Sequence, residues 1–237
     1  MLVANIADIS SGILQDLKEQ VISTAKEMFD VGLIKSTFGV VSVRIPNADY
    51  IIITPSGFCK ARVAIENLCI VDLDGNLIQG KFRPSSETSM HVYIHKQLHD
   101  ANAVLHTHSP AATAFAIAQK EIPCVSTEQS FAFGSRIPLV EEYFCPGTQD
   151  TLKLESIISA LKKAKAALLK KHGVIIVGRD LEEALNNAIV VEDIATTVLY
   201  TFILGGFPSE LTPEEIEEVR KFRLTRYGQN VKNIRTH

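Results

Sequence analysis

Three β-branched runs follow one another early in the chain: FGVVSVRI (38–45), YIIITP (50–55) and LCIVDLDGNLIQG (68–80). The second is stopped by Pro55 and Gly57. The third reads as a hairpin turning at Asp74–Gly75, a favoured turn pair. Before them, SSGILQDLKEQVISTAKEMFDVGLI (10–34) carries Ile13, Leu14, Leu17, Val21, Ile22 and Ala25 at helical spacing, with a serine at the cap position and Gly32 where the helix should end. After them strands and helices mix. SSETSMHVYIHKQL (85–98) is a helix capped by Ser85 or Ser86, ANAVLHTH (101–108) a strand, and PAATAFAIAQ (110–119) a helix opened by proline. EIPCV (121–125) and SRIPLV (135–140) are short strands, and DTLKLESIISALKKA (150–164) is an amphipathic helix. AALLKKHGVIIVGRD (166–180) is two strands turning at Gly173. A long helix over 181–204 ends at Gly205–Gly206, and a last one starts at Thr212–Pro213. Consecutive strands followed by helices predict an α/β chain of the α+β type: a central, mostly antiparallel β-sheet layered between α-helices.

The chain has 237 residues, 46% of them apolar, enough for a large core. No Pro/Gly/Ser-rich linker or charge block divides it, so residues 1–237 are expected to form one domain. A net charge of −3 argues against a nucleic-acid or anionic-membrane surface. Cys59, Cys69, Cys124 and Cys145 form no C-x-x-C pair and suit reduced thiols. The start MLVANIADISSG lacks a basic region before an apolar stretch, and ATTVLYTFILGG (195–206) is shorter than a bilayer requires. A cytoplasmic location is expected. Neither G-x-G-x-x-G nor G-x-x-x-x-G-K-[ST] occurs.

The chemistry concentrates in a few residues. In an extended VLHTHS, His106 and His108 share a face about 6.6 Å apart and can converge on one metal. His172, at a strand–turn junction beside Gly173, is the best third ligand. Glu87, favoured at a helix start by the helix dipole, is the best fourth partner, as ligand or general base. A rival site exists, because Glu87, His91 and His95 share one helix face. The plainer reading of that face is a buried, hydrogen-bonded histidine. His99 and His237 read as solvated residues. Two segments suit an anion: Thr54–Gly57, whose glycine allows close backbone approach, and Pro84–Glu87, with two hydroxyls at a helix N-terminus.

In order, TFGVVSVR, ITPSG, PSSE, AVLHTH and LLKKHG resemble the class II aldolase/adducin family over roughly residues 15–228. The likeness is to its branch acting on fuculose 1-phosphate. That resemblance implies a sheet between helix layers and a homotetramer with active sites at subunit interfaces. It implies Zn2+, with Mn2+ or Co2+ as alternatives, on His106, His108 and His172, and Glu87 as metal-binding catalytic glutamate. It places the phosphate of a sugar-phosphate substrate around Gly39, Ser56, Gly57, Ser85 and Ser86. The implied activity is that of an aldolase, a carbon–carbon lyase cleaving or forming a ketose 1-phosphate through a metal-stabilised enediolate of dihydroxyacetone phosphate. Two departures stand out. Val40 replaces the family's phosphate-holding asparagine, and the segment IPCVSTEQ has Thr127 but no acid tyrosine, whereas the family's C-terminal tyrosine matches Tyr227. Alternatives on the same scaffold are a dehydratase of the methylthioribulose-1-phosphate type and a non-catalytic adducin-like protein. The ribulose-phosphate 4-epimerase type typically carries aspartate where this chain has Glu87, which argues against it.

Overall fold

The computed structural model describes Ile6 and residues 9–227; His237, and most of the N-terminal segment discussed above, lie outside them. In chain order the main elements are α1 (Ser11–Asp30), β1 (Val40–Arg44), β2 (Tyr50–Ile53), β3 (Cys69–Asp72), β4 (Leu77–Gln79), α2 (Thr88–Gln97), β5 (Ala103–Thr107), α3 (Pro110–Ala118), α4 (Thr127–Ala132), β6 (Leu139–Val140), α5 (Thr151–Ala164), β7 (Ala166–Leu169), β8 (Gly173–Gly178), α6 (Leu181–Ile203) and α7 (Pro213–Arg226). The strands form one sheet in the order β4-β3-β2-β1-β5-β8-β7-β6. Every pairing is antiparallel except β6 with β7, which is parallel.

The alternation of side chains along β5 explains how the layers form. Ala103 and Leu105 face the cluster built from α1, α3 and α6, which includes Val21, Phe115 and Val191. Val104 faces the opposite cluster from α2 and α5, which includes Met90, Ile94 and Ile158. His106 continues the parity of Val104. It therefore points to the α2 side, where Glu87 precedes the helix. All five residues of β5 are buried because the strand runs through the middle of the sheet, between β1 and β8.

The helix ends follow their local chemistry. Gly32, with φ +82°, follows α1 at the position where a left-handed residue releases the chain. Thr212 and Glu215 form a reciprocal capping box at the start of α7. Other expectations shift. Helix α2 begins one residue later than a Ser86 cap and two later than a Ser85 cap would start it: Glu87 occupies the cap position, and Ser85 Oγ instead accepts from the Glu87 backbone N–H at 3.2 Å. EIPCV and SRIPLV meet only in a single bridge, Ile122 to Ile137, and SRIPLV adds the two-residue β6. The intervening segment forms the unanticipated α4, capped by Ser126. The turn between β7 and β8 is made by Lys170–His172, with Lys171 left-handed at φ +58°, and Gly173 is already the first residue of β8.

Helix α3 starts directly after the HTHS segment, and its free N–H groups are met from another layer. Both carboxylate oxygens of Glu192 on α6 accept from Ala111 and Ala112, at 2.8 and 2.9 Å. This ties the helix start beside His108 to the α6 layer. Glu192→Ala is expected to destabilise the fold by about 1–3 kcal/mol, read as a lower urea midpoint at unchanged slope. A change under about 0.3 kcal/mol would mean that water replaces the carboxylate.

Candidate metal centre

His106 leaves β5 fully buried, and its Nδ1 meets the Val174 carbonyl on β8 at 2.9 Å. A carbonyl only accepts, so Nδ1 carries the proton and Nε2 presents a lone pair. That lone pair faces His108 Nε2 at 2.9 Å. His172, arriving on the β7–β8 turn, completes a trio whose ligand atoms all lie within 4.8 Å of one another. Two nitrogens bound to one tetrahedral ion at 2.0–2.1 Å would sit about 3.3 Å apart. Glu87 Oε1 lies 3.4 Å from Nε2 of both His106 and His172. The strand β5, the β7–β8 turn and the start of α2 thus aim three imidazoles and one carboxylate at a single point.

The close approach of the strands needs a glycine. A Cβ on Gly173 would meet the Thr107 carbonyl oxygen at 2.3 Å, His106 Cε1 at 3.2 Å and His108 Cδ2 at 3.4 Å. The glycine beside His172 therefore serves packing against β5. The outer face of His108 is covered by Phe38, stacked at 5.4 Å between centroids.

Electrostatics suit a cation. Burial lowers the pKa of His106, His108 and His172 to about 4 each. The rings are therefore neutral, in their ligating form, at neutral pH. Burial pushes the Glu87 carboxyl above the usual carboxylate range, opposed by His172, His108 and Lys60. Three neutral imidazoles converging with a buried carboxylate fit a divalent metal. Among the described residues His172 Nδ1 is buried without a hydrogen-bond partner, and Nε2 is the nitrogen that meets Glu87.

His91 and His95 do something else. His95 Nδ1 donates to the Ala101 carbonyl at 3.1 Å, so in the neutral ring Nε2 accepts from the Ser42 hydroxyl at 2.9 Å. Ser42 Oγ in turn accepts from His91 Nδ1 at 2.7 Å. Burial holds both rings well below the ordinary histidine pKa, His95 at about 3. This chain links α2 to β1. The helix face shared by Glu87, His91 and His95 splits: Glu87 goes to the histidine trio and the two histidines go to Ser42.

One cavity of about 340 Å³ opens over the centre. Gly39, Ser56, Gly57, Ser85, Ser86, Glu87, His108 and His172 all line it. The two anion-suited segments are zipped together, with Ser56 N donating to Arg83 O at 3.0 Å and Ser85 N to Thr54 O at 3.2 Å. Gly39 is left-handed at φ +81°, and a Cβ there would collide with Ile34. Lys60, Phe38 and Tyr143 also line the cavity. Sequence reasoning missed them because lone residues in loops carry no spacing signal. Tyr227 does not line it. It follows the end of α7, edge-on to Phe131 at 4.5 Å, beside a separate groove.

Replacing His106, His108 or His172 by alanine is expected to remove most bound metal, because two ligands hold it poorly. His91→Ala and Ser42→Ala should keep the metal and lower stability by about 1–3 kcal/mol through an unpartnered buried group. Elemental analysis after gel filtration reads the first effect and urea unfolding the second. Full metal occupancy in the His172 variant would refute the ligand set. The depressed histidine pKa values also set a pH window. Metal affinity should be unchanged as pH falls from 7 through 5 and begin to fall only around pH 4 and below, where the free rings protonate. Loss already at pH 6.5 would contradict it.

Residues 19–199 match the family described as Class II Aldolase and Adducin N-terminal domain. Among curated relatives, a protein of Mycoplasma pneumoniae named "Probable L-ribulose-5-phosphate 4-epimerase" is 30% identical, covering 85% of this chain and 88% of its own. An L-ribulose-5-phosphate 4-epimerase of Salmonella paratyphi B is 28% identical over 92% and 97%. Among solved structures, an L-fuculose 1-phosphate aldolase superposes with a TM-score of 0.81 at 27% identity, covering 90% of this chain and 96% of that one. An L-fuculose-1-phosphate aldolase from Thermus thermophilus gives 0.71 at 26% identity, over 83% and 100%. With its sheet, its helix layers and its match over most of its length, this chain belongs to the class II aldolase/adducin family.

Proposed function

We propose that the protein is a metal-dependent aldolase that cleaves or forms a ketose 1-phosphate of the fuculose-1-phosphate kind. The observation that carries this reading is the position of Glu87: 3.4 Å from two imidazole nitrogens, and on the wall of a cavity rich in hydroxyl and backbone donors. His106, His108 and His172 would hold the cation, with Glu87 as a fourth contact. A bound divalent ion, Zn2+ or else Mn2+ or Co2+, would supply Lewis-acid polarisation of a carbonyl and stabilise the charge of the enediolate.

The protein's own groups carry the rest. Ser56, Gly57, Ser85 and Ser86 would fix the phosphate, leaving the ketose carbonyl towards the histidines. The hydroxyl on the fourth carbon gives its proton to water as it becomes the departing aldehyde's carbonyl. The electron pair of the broken bond between the third and fourth carbons remains on the three-carbon fragment. Glu87, whose carboxyl burial favours the protonated form, delivers a proton to that carbon and yields dihydroxyacetone phosphate. Running backwards, the same carboxylate removes the proton. Glu87→Gln keeps shape while removing the base. Turnover should then fall about 10²–10⁴-fold with metal retained. Near-normal turnover with metal bound would exclude Glu87 as the base.

A second reading is favoured by the curated relatives named as L-ribulose-5-phosphate 4-epimerases. The chemistry is close: if the aldehyde turns over before the fragments rejoin, the hydroxyl-bearing carbon is epimerised. Incubating the metal-loaded protein with L-fuculose 1-phosphate and with L-ribulose 5-phosphate separates the two. The aldolase reading expects free dihydroxyacetone phosphate from the former. Epimer without released fragments would favour the second.

The homotetramer with shared active sites is part of the same proposal. Tyr227 lies outside the cavity of its own chain, and would complete that of a neighbouring copy as an acid or substrate contact. Mixing inactive Glu87→Gln and Tyr227→Phe chains should then restore part of the activity, since some sites receive both intact residues. Confirmed mixed oligomers without recovery would remove Tyr227 from the site.

A further inference from the structure

The cavity wall contains a lysine that the metal chemistry does not use. Lys60 is only 2% exposed, and its ammonium group donates to the Thr37 carbonyl at 3.0 Å and the Phe58 carbonyl at 3.1 Å. An ammonium has three N–H groups, so one is uncommitted among the described residues. No carboxylate lies within 4.0 Å of it among them. Burying a cation with no ion-pair partner is costly, and Lys60 lines a cavity. Burial lowers its pKa to about 8, with Cys59 and Glu87 holding it up, so the ammonium form dominates at neutral pH.

Val40 explains why a donor is needed there. It is 3% exposed and packs with Ile51, Ile53 and Val92 under the cavity floor. It offers the cavity no side-chain hydrogen bond. We propose that Lys60 binds the anionic group of the substrate, its third N–H and its charge completing the cradle of Ser56, Gly57, Ser85 and Ser86. The assignment rests on the sugar-phosphate reading above. It makes Lys60 the residue that selects phosphorylated over neutral ketoses. Lys171, exposed on the rim of the same cavity, is the competing cation.

The test compares dihydroxyacetone phosphate with dihydroxyacetone as donors for condensation with glycolaldehyde, using metal-loaded protein. Lys60→Met should lower the preference for the phosphorylated donor, as a ratio of kcat/KM values, by about 10–100-fold, chiefly through KM. Lys171→Met should shift that ratio less than about threefold. A purely structural lysine would slow both donors alike and leave the ratio intact, which would overturn the assignment. So would loss of preference in Lys171→Met with Lys60→Met unaffected. Unsubstituted protein that condenses both donors equally would also overturn it, while leaving the aldolase chemistry standing. If the unsubstituted protein condenses neither, the aldolase reading falls instead. Lys60 is then judged, as it would be if the variant failed to fold, by a crystal structure of the unsubstituted protein with dihydroxyacetone phosphate. A phosphate oxygen about 2.7–3.2 Å from Lys60 Nζ supports the proposal, and one beyond 4 Å refutes it.

Discussion

The site depends on one hydrogen bond, from His106 Nδ1–H to the carbonyl of Val174. It determines which imidazole nitrogen carries the proton, and so which one can face a cation. It can form only because β5 and β8 pair in a register that sets His106 against Ile175, with Val174 next along. Gly173 lets the strands come close enough at their ends for His108 and His172 to join the cluster. The donor geometry is thus a property of the central sheet, with only His108 and His172 lying just beyond strand ends. Such placement on rigid strands is how a fold holds ligands within tenths of an ångström.

The other layer contributes Glu87, and the same helix shows how a polar face is divided. Glu87 joins the histidine trio, while His91 and His95 are consumed by Ser42 and Ala101. Three ring nitrogens out of four in that pair have partners. This polar chain holds α2 to β1 with a defined direction of donation, and so orients the helix whose cap residue is Glu87.

Much of this was legible in the sequence, because the signals were periodic. Alternation in VLHTH put His106 and His108 on one face, and β-branched runs around Asp74–Gly75 gave the hairpin. The Ser85/Ser86 cap was misplaced because both serines suit a cap by type, whereas the pairing of Pro55 with Pro84 holds them outside the helix, which Glu87 caps. Helix α4 escaped, and SRIPLV proved a shorter strand than expected, because their pairing and packing are tertiary. Lys60 escaped because a lone loop lysine is ordinarily solvated; only the fold buries it beside the cavity. The glutamate at position 87 was read against a 4-epimerase, yet curated relatives bear that name. One carboxylate's length separates the two chemistries poorly, since both can begin with a broken carbon–carbon bond.

The central claim is that the histidine trio and Glu87 form a site that makes and protonates an enediolate. Hydrogen exchange tests it without any aldehyde. Metal-loaded protein incubated with dihydroxyacetone phosphate in deuterium oxide should place deuterium at one position of the carbon bearing the free hydroxyl, followed by proton NMR. The exchange should vanish when the metal is chelated and fall about 10²–10⁴-fold in Glu87→Gln. Absence of exchange in the metal-loaded, unsubstituted protein, or exchange that persists unchanged in Glu87→Gln, would contradict the account.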